Sequence, residues 1–280
     1  MSAWLATVSL LLAVNSGPVE TRFVQVAPTP TDGAILRTAG QTRAVVLIQG
    51  LHLHLVNHKE AARAELRSWQ QPGSVLVRTL AKDADVFAFT YGQTAPVTDI
   101  ADLPALGVSI GRLHAARYTA IVLIGFSAGG LVARQFVEDN PAASAKRVIQ
   151  VCAPNVGSPL ARIRVGVGAV QKPFMQSLTS QSRTHFLADR SDRRIPTDVD
   201  FVCVVGNGLL FSDGVVSARS QWPEDLQAQG VPAVALGTEH WLALRNERAA
   251  MVIARLVRER QPRWDAAQVA AMRKRLFGEK

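Results

Sequence analysis

The stretch Tyr118-Thr-Ala-Ile-Val-Leu-Ile-Gly-Phe-Ser-Ala-Gly-Gly-Leu-Val-Ala-Arg134 restricts the fold of this chain more than any other. Ala120 to Ile124 is an unbroken apolar run, the pattern of a parallel strand buried on both faces. The run stops at Gly125-Phe126-Ser127-Ala128-Gly129, after which Leu131, Val132 and Phe136 recur at helical spacing with no breaker before Pro141. Strand, abrupt turn and helix in that order give a Gly-x-Ser-x-Gly pentapeptide its meaning. The glycines let strand and helix pass closely, so that Ser127 occupies a strained bend with its hydroxyl exposed. Ser127 is the candidate nucleophile, and an ordinary glycine-rich turn is the competing reading.

A chain of 280 residues suits one large α/β domain, and 48% apolar with 19% charged residues excludes wholesale disorder. The net charge of +9 raises the question of nucleic acid, but the basic residues are scattered and thicken only from Arg255 to Arg275. No glycine-aromatic RNA-binding signature and no paired metal ligands accompany them, so no nucleic-acid partner is expected. A solvated basic face on terminal helices is the first reading, and attraction to anionic lipid or acidic substrates the second. Cys152 and Cys203 each lie in an apolar run and read as free buried thiols, with a disulfide imaginable if their strands are neighbours. Residues 1–18 begin with an apolar segment long enough for the core of a signal peptide and too short to span a bilayer comfortably. No Lys or Arg precedes it, and the candidate cleavage site is poor. Export or peripheral membrane contact through this segment is one expectation, a cytoplasmic protein with a packed N-terminal element the other.

Along the rest of the chain, residues 19–42 suggest an opening strand or hairpin and Ala44 to Ile48 the first confident buried strand. Residues 57–70 have helical spacing, Val86 to Thr90 reads as a strand, and Ile100 to Ala116 as a helix. Further strands are expected at Val148 to Cys152, Val199 to Val205 and Val231 to Leu236, the last an edge or strand start because of Pro232. Helices are expected at 241–260 and from Asp265 to Phe277. Strands alternating with helices predict an α/β fold, a mostly parallel sheet covered on both faces, in a single domain from 19 to 280.

A serine hydroxyl needs a base, and the base works best when a third group orients it. Reactive groups in parallel α/β sheets gather at the carboxyl ends of strands. His114 and His185 fall in helical or irregular segments, His58 starts a helix, and His52 and His54 precede the serine; His240, just past the final strand, is the best base. Among acids, Asp213 follows the penultimate strand in an apolar setting, although an Asx-turn with Gly214 would also account for it. Asp200 is at the wrong end of its strand, and Glu239 and Asp225 are fallbacks. Oxyanion donors are expected at the backbone N–H of Ala128 and of Leu51, with Gly50 permitting close approach.

With these pieces in order the chain resembles an α/β-hydrolase of the lipase/esterase branch. The resemblance covers Ala44 to about Leu244 and rests on strand–Gly50–Leu51, Gly125 to Arg134, Ala153 to Ala161, Ser212 to Val216 and His240. It implies a Ser127–His240–Asp213 triad, an acyl-enzyme intermediate on carboxylic esters, and no metal or other cofactor for the chemistry. Gln49 and Phe126 stand where the family commonly has histidines, which bears on subfamily and substrate rather than on the reaction. A small cap is expected at about 160–197, where Ile163, Val165, Val167, Val170, Phe174, Met175 and Leu178 line an acyl pocket or form the cap's own core. The expected partner is a small-molecule or lipid ester. The alternatives are a non-catalytic binding protein on the same scaffold, or an acyltransferase or thioesterase using the same triad.

Overall fold

The buried aliphatic runs do form strands. In a computed structural model that describes residues 18–163, 165–209 and 211–278, they assemble one eight-stranded sheet. The strands are β1 (Thr21–Ala27), β2 (Thr31–Asp32), β3 (Arg43–Ile48), β4 (Asp85–Tyr91), β5 (Ala120–Phe126), β6 (Ala145–Val151), β7 (Asp200–Gly206) and β8 (Ala233–Leu236). Their order is β2-β1-β4-β3-β5-β6-β7-β8; β1 pairs antiparallel with both β2 and β4, and every pair from β4 to β8 is parallel. The residues 19–42 thus supply the expected hairpin, and β8 is the expected edge strand. Pro232, which lacks an N–H, stands just before β8 and only accepts, taking the Cys203 N–H at 3.0 Å.

Because successive strand side chains point to opposite faces, each central strand feeds two cores. Val46 and Ile48 of β3 pack on one face with Leu123, Val148 and Phe201, whereas Val45 and Leu47 pack on the other with Val122, Ile149 and Val202. The helices are α1 (Val75–Leu80), α2 (Val97–Ala101), α3 (Pro104–Ala115), α4 (Ala128–Asp139), α5 (Lys172–Ser177), α6 (Ser180–Asp189), α7 (Ala218–Gln221), α8 (Glu224–Ala228), α9 (Glu247–Arg258) and α10 (Ala266–Phe277). Residues of α2, α3, α4, α5, α7 and α10 cover the first face, and those of α1 and α9 the second. This is the layered α/β architecture expected from alternating strands and helices.

Several boundaries differ from expectation. Residues 57–70 do not form one helix but two 3₁₀ turns, His58–Ala62 and Ser68–Gln70. Their carbonyls are used elsewhere: Ala61 O accepts from Gln93 N at 2.6 Å, and Ala64 O from the Thr90 hydroxyl at 2.9 Å. The helix expected over Ile100 to Ala116 is two, α2 and α3, because Pro104 can open a helix but not continue one. Residues 241–260 begin with the turn His240–Leu242, and α9 starts only at Glu247 behind the Asn246 cap. In the 160–197 segment Phe174, Met175 and Leu178 are buried and Phe174 and Leu178 join the main core, while Ile163 and Val165 face solvent. Residues 1–17 of the N-terminal segment lie outside the described residues, and no described helix is long and apolar enough to cross a membrane.

The terminal helix α10 is held by Trp222, which is fully buried, donates its indole N–H to Val231 O at 2.8 Å and lies 6.1 Å from the rings of both Trp264 and Phe277. Trp222→Ala removes the largest buried side chain and leaves a cavity beneath α10, so it should lower stability by about 3–5 kcal/mol. Chemical denaturation followed by circular dichroism measures this; a loss below about 1 kcal/mol would show that α10 docks independently of the core.

Candidate active site

The turn after β5 is built by close backbone packing. Ser127 caps α4 at φ 52°, ψ −124°, a region a non-glycine residue enters only when its surroundings hold it there. Its N–H donates to Val151 O at 2.8 Å, and its own carbonyl accepts from Gly130 N at 2.9 Å. The end of β3 presses against this turn: a Cβ on Gly50 would stand 2.7 Å from Phe126 O and 2.8 Å from Ser127 Cβ. Only glycine fits there. The Ser127 hydroxyl makes no hydrogen bond to a described residue, and the N–H groups of Leu51 and Ala128 find no acceptor among them.

Asp213 and His240 meet at the same rim, following β7 and β8. His240 Nδ1 lies 2.7 Å from Asp213 Oδ2, and both side chains are almost wholly buried. A carboxylate partner assigns the ring proton to Nδ1 and leaves Nε2 with its lone pair. Asp213 Oδ1 accepts from Val215 N at 2.9 Å and Val216 N at 2.7 Å, while His240 N donates to Asp213 O at 2.8 Å. The Asx-turn and the imidazole contact are therefore not alternatives, since each uses a different carboxylate oxygen. The imidazole sits 4.9 Å from the Phe126 ring, beside the residue that precedes Ser127.

The other candidates are dispersed. Asp200 starts β7 at the far end of the sheet and pairs with Arg147 at 2.8 Å. Asp225 pairs with Arg134, and Glu239 is exposed. His114 and His185 are exposed, and His58 Nε2 is 3.0 Å from Gly166 O.

No family model and no curated protein matches this sequence. Solved structures do match. The mature lipase of Bacillus licheniformis aligns at a TM-score of 0.57 and 15% identity over 87% of this chain and 99% of that one. A metagenomic carboxyl esterase aligns at 0.52 and 16% over 82% and 80%, and lipase B of Aspergillus fumigatus at 0.55 and 14% over 85% and 57%. The chain has the α/β-hydrolase fold.

Within this fold the loop after β3 is fixed by buried glutamines that sequence reading passed over. Gln93 donates to Gly50 O at 2.9 Å and accepts from His52 N at 3.2 Å, and Gln171 donates to His52 O at 2.6 Å and to Gln93 Oε1 at 2.7 Å. Gln49 is fully buried; its side-chain amide donates to Tyr91 O, and its backbone carbonyl accepts the Tyr91 hydroxyl at 2.8 Å. These residues fix the segment around Leu51 by way of its neighbours on both sides. No periodicity marks them, because each acts through a side-chain amide on a distant backbone group.

A second residue missed in that role is Cys152. It leaves β6 at φ 54°, and its Sγ lies with the Asp213 and His240 ligand atoms in a group spanning 4.8 Å. Such a trio could suggest a metal centre, but Asp213 already spends both oxygens on two amides and the imidazole. Burial, reinforced by the Asp213 carboxylate, pushes the Cys152 thiol well above its usual range, so it stays protonated and is a poor metal ligand. Burial pushes Cys203 up as well. Both cysteines are free: although β6 and β7 are neighbours, Gln150 faces Cys203 across the ladder, and the two thiols pack in different cores. Ellman's reagent should therefore leave the native protein unlabelled at about pH 8 and titrate two thiols after unfolding. Fast labelling of the native state would show that the region behind Asp213 opens.

Proposed function

We propose that this protein is a serine hydrolase of carboxylic esters, with Ser127 as nucleophile, His240 as base and Asp213 as the group that orients the base. The observation that carries the reading is the buried His240–Asp213 pair at 2.7 Å, set beside a serine in a strained strand-to-helix turn. With Nδ1 tied to the carboxylate, Nε2 is the ring atom free to accept the serine proton. Ser127 Oγ attacks the acyl carbonyl, the proton passes to Nε2, and collapse of the tetrahedral adduct expels the alcohol with that proton. Water then repeats the sequence on the acyl-enzyme. The N–H groups of Leu51 and Ala128, both without an acceptor among the described residues, are the donors for the developing oxyanion. Among the described residues no hydrogen bond joins Ser127 Oγ to His240, and catalytic contacts of this kind tighten when substrate is held. Proximity of lipase and esterase folds agrees with this assignment, and nothing in the donor set calls for a metal.

An ester panel with a fluorophosphonate probe tests the reading. The wild type should be labelled and Ser127→Ala should not, with kcat falling by several orders of magnitude while the folded state persists. Labelling that survives in Ser127→Ala, or unchanged ester hydrolysis, would remove Ser127 from the role.

Asp213→Asn should lower kcat on the order of 10³–10⁴-fold, because an amide can accept from or donate to the ring and no longer fixes the tautomer. Protonated His240 cannot take the serine proton, so the rate should rise from acid to neutral pH and then level off. A rate independent of pH across that interval, with chemistry limiting, would contradict the role of His240.

A further inference from the structure

A cleft of about 420 Å³ opens directly beside the proposed nucleophile. One wall is Gly50 and Leu51, the loop carrying the oxyanion donor; another is Phe126, next to Ser127; a third is Trp241, next to His240. Ser127 and His240 do not themselves line the cleft, but sequence neighbours of both do. Its apolar surface is what an esterase needs. Its charge is not.

Arg67 and Arg245 both line the cleft, and neither has a carboxylate at ion-pair distance among the described residues. Arg67 gives its Nε–H to Gln49 Oε1 at 3.3 Å, and its Nη2 is buried with no hydrogen-bond partner. Arg245 reaches only the Ser68 hydroxyl, at 3.2 Å. Glu65 and Glu60 attract Arg67 only from beyond ion-pair distance, and each lies nearer another group: Glu65 is 3.8 Å from Arg63, and Glu60 bonds Asn57 at 2.8 Å and lies 3.6 Å from His54. Arg134 is matched by Glu138 at 2.8 Å and by Asp225, whereas the buried Arg183 has no carboxylate at ion-pair distance among the described residues and gives its Nε–H to Asn155 O at 3.2 Å. An unmatched one costs stability unless a ligand supplies the counter-charge. The field is felt by His52 on the cleft wall, whose proton affinity is lowered first by burial and then by Arg67, with Arg245 contributing. His52 is thus a neutral lining group rather than a third cation.

We propose that this cleft binds an anionic oxygen group, carboxylate or phosphate, carried on the ester that Ser127 cleaves, with Arg67 and Arg245 as the residues that select it. The inference rests on the hydrolase reading above and names its substrate class. A guanidinium presents paired N–H donors to such a group, and Arg67 has one buried donor unused. The leucines and indoles of the cleft then pack on the short carbon chain between the anion and the carbonyl.

The test compares kcat/KM for matched pairs: 4-nitrophenyl butyrate against mono-4-nitrophenyl glutarate, and tributyrin below its solubility limit against dibutyryl glycerol phosphate. The first pair asks for a carboxylate and the second for a phosphate. At least one anionic member should exceed its neutral partner by about tenfold or more, and that ratio should shrink as salt is added. Arg245→Glu, an exposed substitution, should reduce the ratio by about tenfold or invert it; Arg67→Met should also reduce it, though it additionally removes the bond to Gln49. Ratios near one in both pairs, or a ratio unmoved by both variants, overturn the proposal while leaving ester hydrolysis standing. If no ester turns over and the fluorophosphonate probe fails to label, the hydrolase reading itself has failed. Calorimetry on Ser127→Ala with monobutyl glutarate and with dibutyl glutarate then decides the cleft separately. Tighter binding of the anion, lost in Arg245→Glu, upholds it, and equal binding refutes it.

Discussion

The contact on which the site depends is backbone against backbone, where the end of β3 lies on the turn between β5 and α4. A Cβ at Gly50 would collide with Ser127 Cβ and Phe126 O, and one at Gly129 would collide with the carbonyls of Ile48 and Gln49. Removing those side chains lets two parallel strands and one helix converge until the N–H groups of Leu51 and Ala128 and the Ser127 side chain share one small region. The strained φ of 52° at Ser127 is held by hydrogen bonds on both sides, to Val151 and from Gly130. Strain of this kind costs on the order of 1–3 kcal/mol and survives only inside a rigid frame. The two cores that sandwich β3, β5 and β6 are that frame.

Around the frame, the loops are held by polar side chains rather than by apolar contacts. Gln49, Gln70, Gln93 and Gln171 are all buried, and each donates to a backbone carbonyl, Gln49 and Gln70 to Tyr91 and Leu47 in the strands, Gln93 and Gln171 to Gly50 and His52 in the loop. A buried amide is tolerable only when its own donors and acceptors are met, so these residues fix geometry more than they add stability. They explain why the segment after β3 is ordered without being helical. They also place His52 and Arg67 on the cleft wall instead of leaving them on a mobile loop.

Charge is distributed with the same economy. The net +9 is mostly solvated or paired, as in Arg258 with Asp83 at 2.7 Å and Arg255 with Glu259 at 3.7 Å, which accords with a basic face on terminal helices. Arg67 and Arg245, which share a cleft near Ser127, have no carboxylate at ion-pair distance among the described residues. The His240–Asp213–Cys152 cluster, by contrast, is buried, and Asp213 spends its oxygens on two amides and the imidazole. One side of the site is closed electrostatically and the other is open.

By itself the sequence determined the sheet and the positions of the strand ends. Continuous aliphatic runs bounded by glycine, proline and polar turns left β3, β5, β6 and β7 few alternatives, since a strand buried on both faces requires such a run. It also offered Ser127, Asp213 and His240 as candidates, because strand-end position is legible in one dimension. Tertiary structure alone decided that Asp213 and His240 touch, that Cys152 stands behind them, and that Arg67 and Arg245 share a cleft. Those relations join residues far apart in the chain through side-chain directions that no periodicity encodes. The same reason explains the misread segment 57–70: its helical spacing was real, but its carbonyls were claimed by Gln93 and Thr90 from across the fold.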